Sequence, residues 1–352
     1  MQRTDAEDRR AGDSTSFAKY AEAGGQYTSA QWRDARYTLR KKGQDVVVSK
    51  RESYVPPSPL PEPESEPLPS AADYDGDVAA YYEAVKSVTK AKIGLVDKPT
   101  TIEWTAPDDN WCGFVFLGDL HVGGLIDYEQ LETDLDDIEA TEGLHLVGTG
   151  DYADRFEHSG KIVHAMAGDT VPGSDDQELL VVHVLRRCSK WRAVLAGNHD
   201  DWGSGEVVRR LARHLKAEYV SQAGCSLKVN VGSERYILYL KHQYTGSSRI
   251  STSNESRRFW HEWADWENGD VTVVAHLHQP DTHQVERKGQ TVSHLRGGTY
   301  KTVDPWARKG GYSPAYGPAL VLLNPREHEV IPFHGPLWRR GVQMLGWLRN
   351  GR

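Results

Sequence analysis

Three scarcities open the sequence: little cysteine, little phenylalanine and no long apolar run. Its three cysteines, Cys112, Cys188 and Cys225, are scattered through 352 residues without a CxxC pair. That excludes a disulfide framework and a zinc ribbon. No apolar stretch approaches the roughly 18 residues needed to span a bilayer, and the first 15 residues are too charged for a signal peptide. The expectation is a cytoplasmic protein with no membrane partner. An excess of positive charge is also missing. The chain holds 42 Lys and Arg against 50 Asp and Glu, a net −8, which argues against a surface coated for nucleic acid. The average hides an asymmetry: residues 1–54 hold 11 Lys and Arg against 8 Asp and Glu, and the remainder holds 31 against 42. A small basic piece is attached to a large acidic one.

At about 150 residues per domain, this length suggests one large domain with a smaller companion. The strongest punctuation is VPPSPLPEPESEPLP at 55–69, where seven of fifteen residues are proline. Proline fixes φ and removes a backbone donor, so the stretch suits neither helix interior nor sheet and reads as a semi-rigid spacer. A protein partner docking on the proline run is the lesser reading. Before it, Ser14–Ala23 and Ser29–Lys42 are expected as short helices, the second carrying Arg33, Arg36, Arg40, Lys41 and Lys42. Helix, turn, basic helix is the outline of a DNA reader, but two helices make a small core, and a solvated surface or docking element is the leading reading. Val78, Tyr81, Tyr82, Val85 and Val88 mark an amphipathic helix. The divisions expected are a basic helical segment at 1–54, a proline-rich linker at 55–72, a helix and lead-in at 73–105, a catalytic domain at 106–335 and a basic tail at 336–352.

From Trp104 onward, short apolar runs read as strands: Gly113–Leu117, Leu144–Val147, Arg192–Leu195, Arg235–Leu240, Val271–Val274 and Ala319–Leu323. Helical stretches at Glu178–Lys190 and Glu206–Lys216 lie between some of them. Such alternation indicates a layered α/β domain. Five of the strands run straight into Asp, His or Asn. They are FVFLGDLHVGG with Asp119 and His121, LHLVGTGDYADRF with Asp151, Asp154 and Arg155, and AVLAGNHDDW with Asn198, His199 and Asp200. The other two are YILYLKHQY with His242 and VTVVAHLHQPD with His276 and His278. Strand-end loops let a rigid sheet hold side chains at fixed positions open to a ligand. Imidazole mixed with carboxylate and amide oxygen suits Mn, Fe or Zn. The set is too large for one tetrahedral zinc and would serve two ions sharing a bridging carboxylate, the arrangement that clamps both oxygens of a phosphoryl displacement.

These blocks, in this order, resemble the calcineurin-like metallophosphoesterases, whose pattern is DxH, GDxxD, GNH(D/E), a lone His and GHxH. The likeness runs from Gly113 to about His278, with strands to about Phe333 completing the domain. It implies a four-layer α-β-β-α sandwich of two mixed sheets, with the small helical segment added at the N-terminus. It implies two divalent cations, manganese first and iron or zinc otherwise. Asp119, His121 and His278 would hold the first, Asn198, His242 and His276 the second, and Asp151 would bridge. His199 would protonate the leaving alkoxide, a role that histidine as a residue type suits independently, with Asp200 or Asp154 orienting its ring. A metal-bridging hydroxide would be the nucleophile. Ala275 departs from the usual glycine by one methyl.

GDYADRF resembles the GDYVDRG of serine/threonine phosphatases, which gives Arg155 a role in binding substrate phosphate. The paired HxH spacing resembles instead the nucleases and other phosphodiesterases, including DNA-repair exonucleases. The expected reaction is therefore phosphodiester hydrolysis, with nucleic acid as substrate. A phosphomonoester or a small or cyclic-nucleotide diester is the alternative. The stretch QYTGSSRISTSNESRRFWHEWADW supplies Arg249, Arg257 and Arg258 as possible phosphate contacts. Its Trp260, Trp263 and Trp266 read as core, and Tyr300, Lys301 and Arg308 as polar groups near the edge of the site.

Overall fold

A computed structural model describes residues 9–10, 35, 69–74, 76–94, 99–155, 170–171, 173–200, 206–246, 252–262, 269–287, 289–302 and 313–351. Apart from Ala35, which is helical, the two helices expected before the linker lie outside these residues, as does nearly all of the linker. Two compact units meet between Gly94 and Leu95. In the first, a 3-10 turn at Ala71–Tyr74 precedes helix α1 (Val78–Gly94). Among the described residues no helix is long and apolar enough to cross a membrane.

Among the described residues the second unit holds twelve strands in two mixed sheets of six. One sheet contains β2 (Cys112–Leu117), β3 (Leu144–Gly148), β4 (Trp191–Leu195), β5 (Glu218–Val220), β11 (Ala319–Leu323) and β12 (Val330–His334), in the order β12-β11-β2-β3-β4-β5. The other contains β1 (Thr100–Thr105), β6 (Cys225–Val231), β7 (Glu234–Leu240), β8 (Val271–Val274), β9 (Asp281–Arg287) and β10 (Gln290–Arg296), in the order β1-β6-β7-β8-β10-β9. The layering follows from side-chain alternation. In β2, Phe114 and Phe116 enter the core between the sheets, while Val115 and Leu117 enter a second core beneath helices. In β11, Ala319, Val321 and Leu323 face the first, and Leu320 and Leu322 the second. A strand buried on both faces needs apolar residues throughout, so these strands read as unbroken apolar runs.

Helices α2 (Tyr128–Ala140), α3 (Ser174–Leu185), α4 (Glu206–Leu215) and α6 (Trp338–Asn350) bury Leu131, Val181, Leu211 and Leu345 in the outer core of the first sheet. Helix α5 (Asn254–Glu262) packs Phe259 against Tyr239 and Val274 on the outer face of the second. Helix, sheet, sheet, helix is the four-layer sandwich that the sequence pattern implies.

Three boundaries differ from expectation. The fold begins upstream of residue 106, because β1 pairs in parallel with β6 and places Ile102 between the sheets. Its partner lies more than a hundred residues away, so no local pattern announces it. Helix α3 starts at Ser174 and ends at Leu185, several residues earlier at each end than expected. The Leu185 carbonyl accepts from Trp191 Nε1 at 3.1 Å, and residues 186–190 are spent turning into β4. Residues 338–350 form a terminal helix, and it is packed on the core rather than solvated all round. Trp338, Val342, Leu345 and Leu348 recur at helical spacing on α6 and join the outer core. Two of its arginines are committed to acids: Arg339 to Asp134 and Asp137, and Arg349 to Asp108 and Glu142.

Candidate metal centre

In the first sheet β2, β3, β4 and β5 run parallel, and in the second β7 and β8 do. Their carboxyl ends therefore point the same way within each sheet. Each expected ligand follows one of these strands: Asp119 and His121 after β2, Asp151 after β3, Asn198 after β4, His242 after β7, His276 and His278 after β8. The loops after β2 and β3 are joined by main-chain bonds. Asp119 N donates to the Gly150 carbonyl at 2.9 Å, Leu120 N to that of Asp151 at 2.9 Å, and Val122 N to that of Tyr152 at 2.8 Å. The chain can follow this path only with unusual torsions. Asp119, His121, Asp151, His276 and His278 all have positive φ, between 49° and 72°. A left-handed conformation costs a non-glycine residue about 1–2 kcal/mol, and strain gathered this way marks a functional site. Glycine is required beside them at two points. A Cβ on Gly197 would lie 2.1 Å from Asp151 Oδ1, and one on Gly150 would lie 2.7 Å from both Gly197 Cα and His242 Nδ1.

The side chains converge in two groups. Ligand atoms of Asp119, His121 and His278 lie within 4.8 Å of one another, and so do those of Asp151, His242 and His276. A third set of His121, Asp151 and His199 meets the same limit and links the two. The resemblance would give the first trio to one ion and His242 and His276 to the other, with Asp151 bridging. Asn198 joins the second group, its Oδ1 3.0 Å from His242 Nε2.

The chemistry of these atoms calls for cations. His242 Nδ1 donates to the Thr149 carbonyl at 2.7 Å. In the neutral ring Nε2 is then a lone pair, and it faces Asn198 Oδ1 and, at 3.2 Å, Asp151 Oδ2. Three acceptors meeting without a donor need a proton or a metal. Without metal a proton supplies the charge: burial draws the His242 pKa down, but the Asp151 carboxylate outweighs it and pushes the imidazole up to about 10. Burial would raise Asp151, yet His242 and His199 hold its carboxyl below the usual range. In the first group, His121 Nε2 and His278 Nε2 face each other at 3.1 Å. Burial, followed by the neighbouring His199 and Lys301, keeps His121 well below its ordinary pKa and therefore neutral. Asp119 Oδ1 and His276 Nδ1 are buried without a hydrogen-bond partner. The residues present fit a pair of divalent cations.

His199 stands between the groups, its Nε2 4.0 Å from Asp151 Oδ2. Neither carboxylate expected to orient it does so. The ring is held by the main chain, with Nδ1 donating to the Asp154 carbonyl at 2.6 Å. The Asp154 side chain turns instead to His121, accepting from its Nδ1 at 3.1 Å. Asp200 is fully buried and accepts from three main-chain donors: Asp151 N at 2.7 Å, Gly197 N at 2.9 Å and Tyr152 N at 3.1 Å. It clamps the β3 and β4 loops together. Burial and nearby Asp151 push its pKa up to about 7. Arg155 is buried, with Nη1 donating to the Asp200 carbonyl at 3.1 Å and Nε unpartnered. Arg249 lies outside the described residues, as do Trp263, Trp266 and Arg308. Of the arginine-bearing stretch, Arg257 and Arg258 are exposed on α5, and Arg258 pairs with Glu262. Ala275 is buried, its N–H donating to the His242 carbonyl at 2.8 Å, so the extra methyl is accommodated. The sequence reading missed Thr149, whose carbonyl sets the His242 tautomer. A main-chain contact of this kind leaves no residue-type signal.

Comparison with known proteins identifies a family. The family model for calcineurin-like phosphoesterases matches residues 113–345. No curated protein sequence matches the chain. Among solved structures, a single mutant of Vps29 from Entamoeba histolytica is 14% identical, covering 63% of this chain and 99% of its own, with a TM-score of 0.34. The NAD nucleotidase NadN of Haemophilus influenzae is 9% identical over 64% of this chain and 49% of its own, with a TM-score of 0.36. The calcineurin-like phosphoesterase YfkN of Bacillus subtilis is 9% identical over 68% of this chain and 99% of its own, with a TM-score of 0.34.

Proposed function

The chain belongs to the calcineurin-like phosphoesterase family and is a metal-dependent hydrolase of ester bonds; from that premise we propose that it cleaves phosphodiesters, with nucleic acid as the substrate. The observation that carries the reading is the pair of ligand groups flanking Asp151, with His199 Nε2 beside them. Asp119, His121 and His278 would hold one cation and Asn198, His242 and His276 the other, with Asp151 shared; manganese suits the mixed nitrogen and oxygen donors. Such cations polarise the phosphoryl oxygens and acidify water for attack at phosphorus. The chain's own residues do the rest. The Asp154 carbonyl fixes Nδ1 of His199 as a donor, so the proton passed to the leaving alkoxide comes from Nε2. Alkoxides leave poorly without that proton, and a general acid is worth roughly 10²–10⁴ in rate. Asp200 keeps the His199 loop against the Asp151 loop, so acid and reacting centre hold their separation.

A nucleic-acid substrate is supported by the basic balance of residues 1–54 and by exposed Arg257 on α5, beyond the His242 loop. Unpaired buried cysteines agree with a reducing cytoplasm. The acidic balance of the remaining chain favours the second reading, a small diester or a monoester, since like charge repels a long polyanion. Labelled single- and double-stranded DNA with Mn²⁺ separates them, beside bis-p-nitrophenyl phosphate and p-nitrophenyl phosphate. Cleavage of DNA by wild type but not by Asp151→Asn supports the proposal. Turnover of the small esters with intact DNA would transfer it to the second reading.

A further inference from the structure

We propose that Lys301 is a positioning residue for the first cation, acting through Asp154 on His121; this rests on the metal reading above. Lys301 Nζ donates to Asp154 Oδ1 at 3.2 Å, and the same oxygen accepts from His121 Nδ1 at 3.1 Å. The chain is ammonium, carboxylate, imidazole, and its first two members are largely buried: the Asp154 side chain is 0% exposed and that of Lys301 9%. With Nδ1 occupied, His121 presents Nε2, the atom that faces His278 Nε2. Outer partners of this kind set the tautomer and ring orientation of a ligating histidine.

The segment carrying Lys301 is fastened to the same loop at several points. Thr299 Oγ1 donates to the Asp119 carbonyl, and Lys301 N donates to Thr299 Oγ1 at 2.9 Å. Tyr300 OH donates to buried Asp134 at 2.6 Å, and Thr302 N donates to the Leu125 carbonyl at 2.8 Å. Residues 299–302 thus form a strap that supports both Asp119 and, through Asp154, His121. Lys301 joins this strap to Asp154 in the loop after β3.

The sign of the effect separates positioning from bystanding. An ammonium that merely lay near the site would repel a cation, so its removal would tighten metal binding. A positioning ammonium does the opposite, and losing such an outer partner weakens metal affinity roughly 10–100-fold. The test is Mn²⁺ titration of the full chain by calorimetry and electron paramagnetic resonance, for wild type, Lys301→Met, Lys301→Arg, Asp154→Asn and Tyr300→Phe. Lys301→Met should weaken one of two sites by roughly 10–100-fold and leave the other near its wild-type affinity. Lys301→Arg should restore most of the loss. Tyr300→Phe, which cuts the strap's bond to Asp134, should lower the thermal midpoint while both affinities hold. Should Lys301→Met not fold, Asp154→Asn carries the test through the same weakened site. Two unchanged or tighter sites in the folded variant would overturn the positioning role while the metal reading stands. A wild type that binds no Mn²⁺ would overturn both.

Discussion

Asp200 offers the sharpest test of how this site is built, because the sequence suggests one role for it and the structure another. Replacing it with alanine removes the acceptor for Asp151 N, Gly197 N and Tyr152 N, all buried. Hydrogen bonds to a charged acceptor contribute roughly 1.5–3 kcal/mol each, so the three together give about 4–9 kcal/mol. Part is offset, because the substitution also removes a carboxylate that burial and Asp151 disfavour. Its pKa of about 7 lies some three pH units above an ordinary Asp, equivalent to about 4 kcal/mol. Set against about 4–9 kcal/mol, that leaves a net loss of up to about 5 kcal/mol, or a midpoint lowered by up to about 15 °C in a domain of this size. The assay is thermal melting in EDTA, where metal contributes nothing. A variant more stable than wild type would refute the clamp, since the bonds lost would then be worth less than the burial cost removed with the carboxylate. The catalytic corollary follows from the same geometry. Asp200 does not touch His199, so Asp200→Asn should keep the wild-type dependence on leaving group, whatever it loses in stability.

Four further outcomes follow from the site. His242 carries its proton up to about pH 10 without metal, so Mn²⁺ loading at pH 8 should release about one proton from it, measured by calorimetry in buffers of different ionisation enthalpy; zero release would contradict the tautomer argument. Because that folded-state pKa is raised above the free value, the stability it gives the metal-free protein is complete below about pH 6.5 and is lost towards pH 10, at roughly 1.4 kcal/mol per pH unit, readable from denaturant melts across that range. His199→Ala should retain its metals and lose roughly 10²–10⁴ in turnover of alkyl esters but far less with p-nitrophenyl leaving groups; equal losses would argue against its role as acid. Gly197→Ala should abolish both metal binding and turnover, since the new Cβ would sit 2.1 Å from Asp151 Oδ1, and a variant with wild-type Mn²⁺ affinity would show that the loop yields.

What could be read in advance was local and repetitive. Strands such as CGFVFL and ALVLL are buried on both faces, so composition alone marks them, and the polar residues that interrupt each run stand where the strand ends. Five such interruptions supplied the candidate donors, and the resemblance implied how they would divide between two ions. Parallel strands carry their carboxyl ends to one side, so donors far apart in the chain can meet. The same logic failed for β1, whose only reason to be a strand is β6, and for α6, whose arginines look solvent-bound until Asp134, Asp137, Asp108 and Glu142 are placed beside them.

The sequence by itself showed Asp, His and Asn donors at the ends of strands, and the resemblance implied their division between two ions and the acid beside them. Residue type dictates which atoms can coordinate or transfer a proton. The tertiary structure alone decided what supports them: Asp154 on His121 rather than on His199, Asp200 on three backbone N–H groups, Thr149 on His242, Lys301 behind Asp154. A carboxylate or a carbonyl accepts from any donor within about 3 Å. Which donor that is depends on how loops from different strands pack, and no spacing along the chain records it.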